Sequence, residues 1–162
     1  MLQLTAQIAA QLRQVYSGGN WTSVNLKDTI TDITWEQATR KHGDLNTIGA
    51  LLFHINYYIS ALLKVLEGGP LDAKDKFSFD LPEIQSEEEW QKLVAECFAN
   101  AGKLAALAAS LPEEKLSETF VDEKYGSYYR NLMGLIEHTH YHLGQIVLIK
   151  KLLATPGKQA VG

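Results

Sequence analysis

The sequence predicts an all-α fold, a four-helix bundle with long connecting loops and short extra helices. Apolar residues recur at helical spacing along most of the chain, strand patterns are nearly absent, and four long amphipathic stretches are set apart by turn and capping signals. Four apolar stripes are buried most economically against one another. The order and handedness of the helices do not follow from the pattern.

Leu4, Ile8, Leu12 and Val15 form the first stripe, closed by Ser17, Gly18 and Gly19. Residues 17–43 read as irregular except for one short helix, where Thr34 and Gln37 match a capping box ahead of Ala38. Trp21 and Trp35 in this stretch are expected to cover one end of the core. The second long helix runs from about Leu45 to Glu67 on Ile48, Leu51, Leu52, Ile55, Ile59, Leu62, Leu63 and Leu66, and Gly68, Gly69 and Pro70 stop it. The segment that follows is turn-rich around Phe77 and Phe79, and a connection of that length either crosses the bundle or shapes a site.

Ser86 with Glu89 caps a third helix, whose stripe is Trp90, Val94, Cys97, Ala101, Leu104, Ala108 and Leu111. Cys97 lies on that stripe and reads as a small buried apolar residue. Residues 111–114 start one helical turn at most. The fourth helix runs from about Ser127 to Ala154, ended by Thr155, Pro156 and Gly157.

At 162 residues the chain is expected to form a single domain over 1–162. One cysteine excludes a disulfide-stapled scaffold and points to a reducing compartment. A net charge of -4 without clustered Lys and Arg argues against a nucleic-acid partner. The N-terminus lacks the pattern of a signal peptide, and no run approaches the roughly 18 apolar residues of a membrane span. The expectation is a soluble cytoplasmic protein with no membrane partner.

Three of five histidines, His138, His140 and His142, fall within five residues. His138 and His142 share one helical face, with Cβ atoms about 6 Å apart, together with Tyr128, Asn131, Leu135, Gln145, Ile149 and Leu152. His140 is turned about 200° away and is left out of the ligand set. His54 lies mid-way along the second helix on a stripe with Leu51, Tyr58, Ala61 and Val65, so three imidazoles can meet at mid-bundle. Such a set leaves a fourth metal position open to activate water or hold substrate. Zinc is the default ion, while imidazole also suits nickel, iron or copper. Taken singly, an inward histidine is more often a hydrogen-bonded core residue than a ligand, and the third convergent ring is what favours metal. Gly134 and Gly144 flank the pair, and each leaves room for a neighbouring helix or a ligand.

Phe53, His54 and Ile55 in the second helix, and the run from His138 through His142, Gly144 and Gln145 to Ile146 in the fourth, resemble the motifs of the DinB/YfiT-like family of metal-dependent bacterial proteins. The lead-in from Trp35 to Asp44 fits as well. The resemblance implies a bundle, often homodimeric, whose three histidines bind a divalent metal, zinc or nickel, and it places His54, His138 and His142 at those positions. Some relatives are thiol transferases using bacillithiol, mycothiol or glutathione, and one branch isomerises maleylpyruvate. The expected function is therefore transfer of a low-molecular-weight thiol to an electrophilic small-molecule substrate by a homodimeric enzyme. A metal-dependent hydrolase and a non-enzymatic, stress-associated dimer are the alternatives. Gln145 is a candidate partner for the far nitrogen of a ligating imidazole, and Tyr57, Tyr58 and Tyr128 are candidates to line the cavity.

Overall fold

The computed structural model of the chain describes residues 3–154. In chain order the helices are α1 (Leu4–Ser17), α2 (Leu26–Ile30), α3 (Trp35–Thr39), α4 (Ile48–Leu66), α5 (Glu87–Ser110) and α6 (Tyr128–Ala154). Four are long and two are single short turns, and no strand occurs among the described residues, where Thr119 and Ser127 make only an isolated bridge. α1 and α4 each pack on both α5 and α6, around one hydrophobic core.

Local chemistry sets the helix starts. Thr47 accepts the Ala50 N–H and begins α4 three residues later than the sequence suggests, because Leu45 lies in the preceding turn and stays exposed. Ser86 accepts the Glu89 N–H at the head of α5, where Glu87, Glu88 and Glu89 also oppose the positive end of the helix dipole. The capping box of Thr34 and Gln37 is present at α3.

Residues 17–43 hold a second helix that the sequence reading lacks. Asn25 accepts the Asp28 N–H and starts α2, a helix too short to show a period. Leu26, Ile30 and Ile33 cover that end of the core, and Trp35 packs against it. Trp21 does not: it is fully exposed. The buried Trp90 on α5 donates its indole N–H to the Ile33 carbonyl at 2.8 Å, which ties this irregular segment to the bundle.

Cys97 is buried as expected, and burial pushes its thiol up to about 12, so it stays protonated. Tyr16 of α1 is buried opposite α6, where its hydroxyl donates to Thr139 Oγ1 at 2.9 Å while Thr139 donates to the Leu135 carbonyl. Desolvation holds the Tyr16 phenol well above its ordinary range.

Residues 113–117 form the single turn expected after Leu111, of 3-10 type. The expected stop at Thr155, Pro156 and Gly157 lies outside the described residues. By length and composition α4 could cross a membrane, contrary to the sequence reading, but 67% of it is buried in the bundle, which accounts for its apolar character. At Gly134 and Gly144 an added Cβ would meet nothing within 4 Å, so neither glycine serves close helix packing.

Gly102 on the exposed face of α5 likewise has open space around its missing Cβ. Replacing it with Ala should stabilise the fold by about 1 kcal/mol and raise Tm by roughly 2–4 °C in thermal circular dichroism. A lowered Tm would mean that the added methyl meets a neighbour.

Candidate metal centre

Packing of α4 on α6 builds the site. His54 meets His138 and His142, whereas Leu62, two turns further along α4, borders a cavity with Asn131 and Gly134, so the two helices run in opposite directions. Nε2 of His138 lies 3.0 Å from Nε2 of His54 and 3.1 Å from Nε2 of His142. One ligand atom from each of the three falls within 4.8 Å of the others, a group that can hold a metal ion.

The far side of each ring decides what those nitrogens offer. Nδ1 of His54 donates to the Ser78 carbonyl at 3.3 Å, and Nδ1 of His142 donates to Gln145 Oε1 at 2.7 Å. Both partners accept, so the proton sits on Nδ1 and each Nε2 presents a lone pair to the centre. His138 faces both lone pairs with one nitrogen. Protonated there, it satisfies one neighbour and leaves the other opposed. With the proton on its buried Nδ1, which has no hydrogen-bond partner, three lone pairs converge. A cation among them removes the conflict. Nitrogens about 2.0–2.1 Å from a tetrahedral zinc stand about 3.3 Å apart, close to the spacings here.

The turn-rich connection between α4 and α5 shapes this site. Tyr57 accepts the Lys74 N–H and donates to the Lys74 carbonyl, and Tyr58 donates to the Asp75 carboxylate. These bonds lay the 3-10 turn Asp75–Phe77 over α4. Ser78 then reaches His54, and the Phe79 ring stacks on the His54 ring at 3.9 Å and 11°. The Tyr58 ring stands edge-on to His54 at 5.1 Å and to His138 at 4.9 Å. Beyond Tyr58 and His138 opens a cavity of about 310 Å³.

Of the residues singled out from sequence, His54, His138, His142, Gln145 and Tyr58 come together. Tyr57 serves the connection. Tyr128 does not join them: ten residues before His138, about 15 Å along the helix, it is buried against Phe120 at 5.1 Å with Lys115 over its ring. His42 is exposed, His140 is half-buried, and neither belongs to the group of three. Sequence reasoning marks the turn-rich segment around Phe77 and Phe79 as one that crosses the bundle or shapes a site, but assigns neither Phe79 nor Ser78 to the histidines.

Burial pushes all three imidazoles below their ordinary 6.5. For His138, with His142 and His54 adding their repulsion, the value is about 4. The rings are therefore neutral, as ligands need to be, at neutral pH. The unfolded chain takes up these protons near 6.5, whereas in the folded chain all three rings resist protonation, His138 down to about 4, so stability present above 6.5 is lost as pH falls below it. Metal-free protein should show Tm declining already between pH 6.5 and about 5, before most carboxylates titrate. The decline should be shallower in His138→Gln, and a flat Tm in the wild type would contradict the assignment of neutral rings.

Removing the Gln145 carboxamide frees the His142 ring. Gln145→Ala should weaken metal affinity about 10- to 100-fold in competition with a chelator, with helicity unchanged. Unaltered affinity would show that the carboxamide does not hold the ring.

A family model described as the DinB superfamily matches residues 2–146. Nothing among curated proteins or solved structures matches the chain.

Proposed function

Because the chain belongs to the DinB superfamily, we propose that His54, His138 and His142 hold a divalent transition metal, zinc or nickel, in an enzyme that transfers a low-molecular-weight thiol to an electrophilic small molecule. The observation that supports this most directly is the convergence of three Nε2 atoms on one point, two of them fixed from behind by acceptors. Bound there, such a metal supplies Lewis-acid chemistry, lowering the pKa of a thiol or water at its open position so that a nucleophile exists at neutral pH.

The chain's own residues prepare that position. Ser78 and Gln145 orient two rings, and burial keeps all three free of competing protons. Phe79 covers one face of His54 and keeps water from it, leaving approach from the cavity beside Tyr58 and His138. Tyr58 is not poised to give up a proton itself, since burial and the Asp75 carboxylate push its phenol up to about 12. It forms a wall of the cavity and holds the connection in place.

Untagged protein should carry about one equivalent of transition metal per chain, and His142→Ala should abolish binding while preserving helicity. Consumption of a small thiol by an electrophile should depend on that metal. Less than about a tenth of an equivalent with no uptake on titration would overturn the metal. A metal-loaded protein that cleaves esters but leaves thiols unconsumed would overturn thiol transfer in favour of hydrolysis.

A further inference from the structure

The cavity that ends at His138 carries a charge the chain as a whole does not. The protein has 19 acidic against 15 basic residues. Yet this cavity is lined by Lys124 and Arg130 and by no carboxylate. Asp75, which neighbours the lining residue Tyr58, is engaged by the Tyr58 hydroxyl. Lys124 reaches Asp122 only at 3.8 Å, and the Arg130 guanidinium has no hydrogen-bonded or ionic partner among the described residues.

The two cations are positioned by local structure. Asn131 donates to the carbonyls of Tyr125 and Ser127 at 3.0 and 2.8 Å, fastening the turn that carries Lys124 to the head of α6. Gly126, at φ +73°, lets the Arg130 stem lie against that turn, since a Cβ there would come within 2.9 Å of Arg130 Cδ. Arg130 lies eight residues, about 12 Å, along α6 from His138. One end of the cavity thus offers the His138 imidazole, whose Nε2 lies beside those of His54 and His142, and the other an unpartnered guanidinium with an ammonium.

The geometry points to a small organic anion as the molecule this cavity takes, its carboxylate between Lys124 and Arg130 and its other end at His138, the member of the histidine cluster that borders the cavity. The guanidinium fork matches a carboxylate through paired hydrogen bonds, and the lysine adds a point charge. A neutral molecule of equal length gains neither. The reactive end of this assignment rests on the metal proposed above, and the anionic end does not.

The test compares 6-mercaptohexanoate with 6-mercaptohexanol on zinc-loaded protein by calorimetry. The acid should bind about tenfold more tightly at low salt, the contribution of one charge-assisted hydrogen bond. The ratio should shrink at 1 M salt, where screening acts within about 3 Å. In the double variant Lys124→Gln, Arg130→Gln it should fall to near one at unchanged zinc content. In metal-free, nitrogen-15-labelled protein, hexanoate should move the amide signals of Lys124, Gly126 and Asn131, and hexanol should not. Zinc bound with a ratio of one in the wild type overturns the anion subsite and leaves the metal standing. Failure to take up zinc while hexanoate still moves those signals overturns the metal and leaves the subsite. Equal or absent shifts with both metal-free probes overturn the subsite.

Discussion

Two of the three central nitrogens cannot exchange roles with their neighbours, and the rest of the site follows from this. Because the Ser78 carbonyl and the Gln145 carboxamide oxygen only accept, His54 and His142 are held with lone pairs aimed inward at His138. Like-sign lone pairs about 3 Å apart in a half-buried pocket are costly unless a proton or a cation lies between them. The arrangement therefore requires the surrounding fold to hold its rings against their repulsion. α6 is gripped from its opposite side, where Tyr16 donates to Thr139, the residue next to His138 in sequence. One turn of helix thus presents a ligand on one face and a core anchor on another.

The same division of labour explains α4. Its site face carries His54, Tyr57 and Tyr58, while Asn56 and Ser60 turn toward α5 and are satisfied there. Asn56 donates to Glu96, and Asn100 donates to both Asn56 and Ser60. A helix buried this far tolerates such polar groups only when each finds a partner. These bonds also fix how α4 lies on α5, and hence where His54 points.

What could be read from the sequence was what local spacing encodes. The four long helices, the caps at Thr34 and Ser86, the buried Cys97 and the convergence of His54 with His138 and His142 all follow from period and capping chemistry. The short helix α2 escaped because five residues carry no period, and only its Asn25 cap marks it. Trp21 was misplaced because an aromatic side chain in an irregular segment carries no information about which way it faces. Ser78 was invisible for a different reason: it acts through its main-chain carbonyl, a group every residue has, so its role exists only once the connection has been laid over α4. Tyr128 shares the face of His138 by periodicity, yet lies too far along the axis to reach it.

The connection over His54 also separates two scales of stability within one site. The rings themselves sit on helices whose apolar faces are sealed in the core and open only with the bundle. The segment from Lys74 to Phe79 is held mainly by two tyrosine hydroxyls, one histidine and one ring stack, with Phe77 and Phe79 partly in water. Local opening of such a segment requires far less free energy than unfolding the helices beneath it. Opening of that segment alone would bare the His54 face while the more cooperative bundle below preserved the spacing of the nitrogens.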